Sequence, residues 1–300
     1  MPELPEVETI RQGLNQKLSN SHLCSIVRLD NYCWHDETSH FSLAADYKLS
    51  EFERQGKYLF AHLKSDTSAE DITLIFHLRM TGKLIITSTV TDLPKHSHFY
   101  FELKKDHKIL YLYFNDIRRF GYVKLLPRQN LGLDQSLKKL GFDALTHKLT
   151  LNEKALTEKE AENAFIQGCR RHLHKNIKSA LLDQSIIAGL GNIYADELLF
   201  SARIHPANLC CNLSEKNLQI LYRSILPLLN KAISNHGTSF SDYVDSRGIK
   251  GNFQNYLQVY QRTSLPCYSC KTPIKKCKIA GRSTHFCPKC QIYYGSDTLT

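Results

Sequence analysis

The first residues of the chain place a proline beside two carboxylates. Pro2 follows Met1 and precedes Glu3 and Glu6. Because proline is a small neighbour, Met1 is expected to be removed, which would expose a secondary amine. An α-amino group has a pKa of about 7.7–8.0, so a fraction of it is neutral at physiological pH and can act as a nucleophile. The carboxylates could divide proton donation and abstraction between them, although the same residue types also begin ordinary helices.

Four cysteines near the C-terminus have the spacing of a metal site. Two Cys-x-x-Cys pairs are separated by sixteen residues, and their members are Cys267, Cys270, Cys287 and Cys290. Four thiolates complete the tetrahedral shell of one Zn²⁺, so the pattern predicts a structural zinc and no catalytic role for the metal. Cys277 lies between the pairs and could compete as a ligand, but it has no paired cysteine. The remaining cysteines are expected to be ordinary thiols: Cys24, Cys33, Cys169, Cys210 and Cys211.

Composition limits the class of protein that carries these groups. The 300 residues contain 39 Lys plus Arg against 29 Asp plus Glu, a net charge of +10 that indicates a polyanionic partner. A hydrophobic fraction of 42% supports packed cores, and the length favours two domains. The sequence lacks an apolar run of about 18–20 residues and a basic-then-apolar leader, so we expect a cytoplasmic protein with reduced thiols and no membrane association.

Two residue patterns, helical spacing of apolar residues and short β-branched and aromatic runs, predict the elements that position these groups. Val7, Ile10 and Leu14 recur at helical spacing after the opening prolines and predict a first helix. From about residue 23 to 126, short β-branched and aromatic runs at 58–60, 72–76, 99–103 and 109–114 predict an antiparallel sandwich or barrel. The second half predicts helices at 158–167, 172–182, 195–202 and 214–234, with Ser214 as an N-cap and Pro227 as an interruption.

Motifs along nearly the whole chain resemble the bacterial formamidopyrimidine-DNA glycosylase family. The most specific are residues 2–9 (PELPEVET), 189–197 (GLGNIYADE) and 281–291 (GRSTHFCPKCQ). Shorter matches occur at 56–58 (GKY), 77–82 (HLRMTG), 115–121 (NDIRRFG), 178–184 (KSALLDQ) and 257–260 (LQVY). The resemblance implies an α+β protein, whose N-terminal helix and antiparallel β-sandwich precede a helix-two-turn-helix domain and a zinc ribbon.

We expect four segments on this basis. The predicted segments are a catalytic sandwich at 1–130, a linker at 131–151, a helix-two-turn-helix domain with a lesion loop at 152–262, and a zinc finger at 263–292. The loop corresponds to residues 237–253, whose Gly, Ser and Asp content by itself indicates only flexibility. The chain is expected to be a monomer associated with the nucleoid.

The resemblance also implies a reaction. The protein would be a bifunctional DNA glycosylase and abasic-site lyase acting on 8-oxoguanine and formamidopyrimidines in double-stranded DNA. Pro2 would attack the sugar and expel the base through an iminium intermediate, followed by β- and δ-elimination. Glu3 would protonate the opening sugar ring and later move protons, Glu6 would help hold this network, and Lys57 would bind a phosphate beside the lesion and is counted with the catalytic group.

A second set of residues is implied to contact DNA. Its members are His77, Met80, Arg118, Phe120, Lys178, Asn192, Tyr194 and Arg282. Met80 and Phe120 would fill the stack vacated by the everted base, and Arg118 would hydrogen-bond the opposite base, usually cytosine. Taken by residue type alone, these three would be a core Met, a core Phe and a surface Arg.

The chain departs from the family pattern at four positions. These are Ile117, Phe142, His236 and Gln261, which replace frequent proline or glycine residues. None belongs to the implied catalytic group, but His236 adjoins the lesion loop and leaves base preference less defined than the chemistry. Two alternatives are kept beside this function: the related endonuclease VIII-like glycosylase for oxidised pyrimidines, and a non-catalytic zinc-ribbon DNA-binding protein, which the basic charge and the ribbon alone would allow.

Overall fold

A computed structural model describes residues 1–30, 32, 34–36, 47–65, 70–91, 93–150, 154–240 and 242–295. Among the predictions above, Cys33, the boundary between the predicted linker and the next segment at residues 151–153, and residue 241 of the predicted loop lie outside these ranges. The chain forms two compact units, one of Met1–Lys138 with Ala232–Gln254 and one of Lys139–Lys231 with Asn255–Thr300. In the described ranges no helix is both long enough and apolar enough to cross a membrane.

The first unit begins with a helix and continues with strands. Its helices are α1 (Leu4–Leu18) and α2 (Gln135–Lys138), with a 3₁₀ turn at Arg128–Leu133. Its strands are β1 (Ser21–Arg28), β2 (Trp34–Asp36), β3 (Tyr47–Gln55), β4 (Tyr58–Ser65), β5 (Ile72–His77), β6 (Lys83–Thr87), β7 (Ser97–Lys105), β8 (Lys108–Asn115) and β9 (Tyr122–Pro127). The four predicted apolar runs lie in β4, β5, β7 and β8.

These strands form one sheet that folds on itself. The order among the described strands is β2-β9-β5-β4-β3-β1-β7-β8-β6, and each neighbouring pair is antiparallel except β2 with β9. Phe76 of β5 packs edge-on against Phe101 of β7 at 6.0 Å between ring centroids, although three strands separate them in the sheet. Trp34 of β2 likewise meets Phe99 of β7 at 5.4 Å. The two ends of the sheet therefore face each other across a common core, which confirms the predicted sandwich.

Helix α1 is fixed to this sandwich by both apolar and polar contacts. Val7, Ile10 and Leu14 are buried in the core, as their spacing predicted. The side chain of Asn15 pairs with the backbone of Phe52 in β3 in both directions, with N···O distances of 2.8 and 2.7 Å. The apolar face of α1 and a polar contact near its end thus pack the helix against the sheet.

The second unit contains the helices and the cysteine ribbon. Its helices are α3 (Glu158–Arg170), α4 (Ile177–Leu182), α5 (Asn192–Ser201), α6 (Glu215–Arg223) and α7 (Ile225–Ser234, whose last residues belong to the first unit), with 3₁₀ turns at Cys210–Asn212 and Phe253–Tyr256, the latter shared between the units. Its strands are β10 (Phe142–Asp143), β11 (Ile187–Ala188), β12 (Lys275–Ile279) and β13 (Arg282–Phe286). Ser214 caps α6 by accepting the backbone N–H of Asn217, and the predicted interruption separates α6 from α7, with Pro227 in the first turn of α7.

The stretch predicted as a linker contains short regular elements. Residues 131–150 include the end of the 3₁₀ turn, α2 and β10, and β10 pairs in parallel with β11. These elements are too short to produce a sustained apolar period, which is why the sequence suggested an irregular connection. The predicted domain boundaries are treated as a proposal below.

Candidate active site

The first turn of α1 positions the predicted catalytic carboxylates. Glu3 is the N-cap, and its side chain and that of Glu6 form a reciprocal capping box. Glu6 accepts the backbone N–H of Glu3 through Oε2 at 2.8 Å. Both carboxylates are almost completely buried, with 2% and 1% of their surface exposed. Pro2 is buried directly before them, whereas Met1 is exposed.

The second oxygen of Glu6 fixes the start of the predicted loop. Oε1 of Glu6 accepts the backbone N–H of Thr238 at 2.8 Å. The adjacent Gly237 has a φ of +76°, and a Cβ at this position would lie 2.8 Å from the same oxygen. The hydroxyl of Tyr243 donates to the Glu6 carbonyl at 3.4 Å, and its burial followed by the nearby Glu6 charge raises the pKa of Tyr243. Glu6 therefore ties the first turn of α1 to Thr238 and Tyr243.

A neighbouring carboxylate, Glu8, forms ion pairs, one of which connects α1 to β3. Its oxygens bind the guanidinium groups of Arg11 and Arg54 at 2.7 and 3.0 Å. Burial favours the neutral acid, but the hydrogen bonds and charges of the two arginines together outweigh it, so the pKa of Glu8 lies below its usual value. Arg54 also donates to the carbonyl of Gly56, which orders the β3–β4 turn that carries Lys57.

His77 lies at the end of β5 among aromatic and cationic groups. Burial, followed by the charges of Arg79 and Lys57, lowers the pKa of His77 to about 3. The ring is therefore neutral at physiological pH. Its Nδ1 accepts the backbone N–H of Arg79 at 3.1 Å, which leaves the proton of the neutral ring on Nε2. His77 can consequently donate a hydrogen bond but carries no positive charge.

The predicted wedge residues occupy two adjacent turns of the first unit. Met80 is half-buried, while Arg118 and Phe120 are exposed, with 58% of the Phe120 surface accessible. An exposed phenylalanine on a turn is an unusual placement for a large apolar side chain, and it fits a group that binds another molecule. The interpretation of Phe120 as a core residue is therefore wrong.

Lys178 is placed entirely inside the second unit. Its ammonium group contacts Asp196 Oδ1 at 2.7 Å, the hydroxyl of Thr284 at 2.8 Å and the carbonyl of Ser283 at 2.9 Å. None of the Lys178 surface is exposed. Because three acceptors surround the ammonium, the contacts support a role in joining α4 and α5 to β13, and its predicted contact with DNA stays a prediction.

The two residues predicted to contact DNA at the start of α5, Asn192 and Tyr194, differ in their exposure. Asn192 is partly exposed at the first residue of the helix and donates to the Ser283 carbonyl at 2.9 Å. Tyr194 is fully buried and belongs to the core. Arg282, by contrast, is exposed beside the Ala280–Gly281 turn at the tip of the β12–β13 hairpin. Arg282 is therefore exposed and Asn192 partly exposed, whereas the Tyr194 side chain is buried.

The four predicted metal ligands form one cluster. Their Sγ atoms all lie within 4.8 Å of one another, with 3.9 Å between Cys267 and Cys290 and 3.4 Å between Cys270 and Cys287. Tetrahedral zinc with Zn–S bonds of about 2.3 Å requires sulfur separations of about 3.8 Å, so the thiolates fit one structural Zn²⁺. Cys277 lies outside this cluster, opposite Thr284 in the hairpin.

Comparisons with known proteins cover the whole architecture. Three family models match in succession: the formamidopyrimidine-DNA glycosylase N-terminal domain at residues 1–123, its H2TH domain at 151–244, and a zinc finger found in FPG and IleRS at 264–292. A formamidopyrimidine-DNA glycosylase from Pelotomaculum thermopropionicum is 40% identical over 293 residues, or 97% of this chain and 99% of the relative. The chain belongs to the formamidopyrimidine-DNA glycosylase family.

Solved structures of relatives agree with this membership. A Lactococcus lactis protein, Fpg, in complex with DNA containing an abasic site has a TM-score of 0.80 and 34% identity, and the alignment covers 96% of this chain and 99% of that one. A protein called MutM, in complex with DNA containing carbocyclic 8-oxo-G, has a TM-score of 0.81 and 33% identity over 97% and 99% of the two chains. The predicted fold class is therefore confirmed for this member of the glycosylase family.

Several residues that contact the predicted site residues within each unit were not singled out in the sequence. Thr238 and Tyr243 contact Glu6, Asp196 pairs with Lys178, and Asp116 receives hydrogen bonds from the turn bearing Arg118. Asp116 and Asp196 do lie inside the matched motifs NDIRRFG and GLGNIYADE, so their positions next to predicted ligands were the available signal. For Thr238 and Tyr243 the only signal in the sequence was that they lie in a segment with the composition of a loop.

Proposed function

We propose that this protein excises oxidised purines from double-stranded DNA and then cleaves the strand at the resulting site. The observation that carries the proposal is the buried pair Glu3 and Glu6, fixed by a capping box directly after Pro2. Membership of the glycosylase family supports it, as do relatives whose bound DNA contains an abasic site or 8-oxo-G. Activity requires that Met1 be absent, because an amide nitrogen at Pro2 is not nucleophilic.

The chemistry proceeds through one covalent intermediate. The neutral Pro2 nitrogen attacks C1′ of the damaged nucleotide, the bond to the base breaks, and the proton lost by the nitrogen is taken up by the departing base. The nitrogen lone pair then breaks the bond from C1′ to the ring oxygen, Glu3 protonates that oxygen, and the resulting iminium acidifies the C2′ proton. Removal of that proton expels the 3′ phosphate by β-elimination, and δ-elimination then expels the 5′ phosphate. Glu6 keeps Glu3 in place throughout, because it accepts the Glu3 N–H.

Groups in the first unit are proposed to bind the lesion strand and replace the everted base. Lys57 supplies positive charge beside a phosphate, and the Nε2–H of neutral His77 supplies a hydrogen bond. Met80 and Phe120 occupy the emptied stack, and Arg118 donates to the opposite base. The exposed Phe120 ring gives this assignment its physical support.

Groups in the second unit are proposed to hold the duplex. Asn192 and Arg282 would contact phosphates from the start of α5 and the tip of the hairpin. Lys178 and Tyr194 would contribute mainly through packing, since both are buried. One structural Zn²⁺ supplies folding energy to the ribbon and takes no part in the chemistry.

Further parts of the proposal concern organisation. We place the functional segments at 1–130, 131–151, 152–262 and 263–292. The protein is proposed to act as a monomer on nucleoid DNA in the cytoplasm. A gel-filtration measurement with and without a short duplex would test the monomer, because a dimer would double the apparent mass of both species.

Base excision on a panel of duplexes tests the proposed activity. We expect release of 8-oxoguanine opposite cytosine and strand products that carry phosphate at both ends of the gap. Thymine glycol opposite adenine is the comparison substrate, and faster excision of it would assign the protein to oxidised pyrimidines instead. Glu3→Gln should bind the same duplex with little excision; binding without any excision by the unaltered protein would leave only a DNA-binding function.

A further inference from the structure

Two turns carry the proposed wedge residues, and both are tightly constrained. The first closes when Gly82 donates its N–H to the Leu78 carbonyl at 2.9 Å, and it presents Met80. The second runs from Asp116 to Gly121 and presents Arg118 and Phe120. The first turn lies in the connection from β5 to β6 and the second in the connection from β8 to β9, and in neither case are the two connected strands paired with each other in the described sheet. A contact between the turns is therefore needed to set their relative position.

The buried carboxylate of Asp116 bonds to both turns. One oxygen, Oδ1, accepts the hydroxyl of Thr81 from the first turn and the N–H of Arg118 at 3.3 Å from the second. The other, Oδ2, accepts the N–H groups of Phe120 at 3.0 Å and Gly121 at 2.7 Å. Thr81 also accepts the N–H of Arg118 at 3.2 Å, which closes the network. A fully buried carboxylate with this many donors is strongly localised.

The backbone of Asp116 is held from the opposite side. Its N–H donates to the His96 carbonyl at 3.0 Å, and its carbonyl receives Nε2 of His98 at 2.9 Å. Nδ1 of the same ring lies 2.7 Å from a carboxylate oxygen of Asp30. The backbone of Asp116 is therefore anchored to His96 and to the buried ring of His98, which in turn contacts Asp30.

Asp30, which contacts His98, also contacts one of two consecutive arginines, Arg118 and Arg119. The Arg119 guanidinium lies 3.5 Å from Asp30 and 5.3 Å from the Tyr32 ring centroid, so it is directed onto the protein. Arg119 has a φ of +56°, which reverses the chain between Arg118 and Phe120. Arg118 is exposed on the neighbouring position, and its backbone is fixed by Asp116.

We propose that Asp116 is a positioning residue that locks Met80, Arg118 and Phe120 into one wedge, with Thr81 as the bridge between the turns. This proposal rests on the proposed function, because the wedge acts only if a base leaves the stack. Asp116 touches no substrate atom; it determines where the Arg118 donors stand and therefore which opposite base they accept.

Asp116→Asn tests this role because an NH₂ group, which donates hydrogen bonds, replaces one of the two carboxylate oxygens that accept them. Excision of 8-oxoguanine opposite cytosine should fall by about 10- to 100-fold, and the preference for cytosine over adenine opposite the lesion should approach one. Strand cleavage at a preformed abasic site in single-stranded DNA needs no wedge and should stay within about twofold of the unaltered protein. Asp106→Asn, on the exposed β7–β8 turn, is the matched control and should change neither quantity.

Thr81 provides an independent test if Asp116→Asn does not fold. Thr81→Val removes the bridging hydroxyl at nearly constant volume and should reduce the cytosine preference, while Thr81→Ser should restore it. The outcomes separate the two proposals. An unaltered protein without excision refutes the proposed function, whereas normal excision with normal opposite-base preference in Asp116→Asn, or in Thr81→Val, refutes the positioning role.

Discussion

Replacing Lys178 distinguishes a buried support from a phosphate ligand. In Lys178→Met the ammonium disappears, and the Asp196 carboxylate remains in a site with none of its surface within reach of water. Breaking a buried ion pair by removing one partner costs about 3–5 kcal/mol, whereas an exposed lysine that bound only DNA would contribute almost nothing to the stability of the free protein. We therefore expect a loss of about 3–5 kcal/mol in the free energy of unfolding.

A second variant checks the origin of this loss. Lys178→Met combined with Asp196→Asn removes both charges and keeps an oxygen that can accept the N–H of His285, which donates to Asp196 at 2.8 Å. Part of the stability should return, because an uncompensated buried charge is the main cost in the single variant. Denaturant unfolding of the zinc-loaded protein, followed by circular dichroism, measures both variants.

The salt dependence of DNA binding supplies the complementary measurement. Each phosphate neutralised by a protein cation contributes about 0.9 to the slope of log affinity against log salt. Arg282→Gln should reduce the slope by about 0.9, because Arg282 is exposed. Lys178→Met should leave the slope unchanged under conditions where the protein is folded. A variant that keeps its stability and loses about 0.9 of slope would refute the buried-support interpretation of Lys178.

Three further predictions follow from the site. Gly237→Ala should destabilise the protein by more than the roughly 1–2 kcal/mol expected for an alanine in the left-handed region, because its Cβ would meet a buried carboxylate oxygen at 2.8 Å. Gly248→Ala is the control, since Gly248 has a φ of +80° and open space around its Cβ. Equal losses of stability for the two variants in thermal unfolding would contradict the clash. Cys287→Ser should abolish stoichiometric zinc in metal analysis while Cys277→Ser keeps one ion per chain, and the reverse pattern would reassign the site. Because the pKa of His77 is lowered to about 3 in the folded state, its contribution makes stability fall as the pH drops from about 6.5 towards 3; an NMR titration that gave this imidazole a pKa near 6.5 would remove the effect.

The sequence predicted those parts of the site that depend on local spacing. The cysteine pairs, the Ser214 cap and the apolar face of α1 each involve residues a few positions apart, and the structure has all of them. The predicted runs at 99–103 and 109–114 lie in β7 and β8, and a tight turn with positive φ at Asp106 and His107 joins these strands. Local periodicity and turn chemistry suffice for such features.

Contacts between residues far apart in the chain could not be predicted from local sequence patterns. Glu6 and Thr238 are 232 positions apart, and Lys178 and Thr284 are 106 apart. The Gly-rich composition of residues 237–253 predicted only flexibility, whereas the chain uses Gly237 to approach a buried carboxylate closely. The resemblance implied that Tyr194 contacts DNA, and the structure buries its ring in the core of the second unit, so the contact stays a prediction. Motif matching identifies such residues without revealing whether they contact a ligand or each other.

The most direct test of the central claim is the position of a trapped covalent bond. The protein should be incubated with a duplex carrying 8-oxoguanine opposite cytosine in the presence of borohydride, digested, and analysed by mass spectrometry. We predict that chains lacking Met1 are trapped and that the modified peptide carries the reduced sugar on the Pro2 nitrogen. An adduct on a lysine side chain, or none on chains that begin with Pro2, would contradict the proposed mechanism.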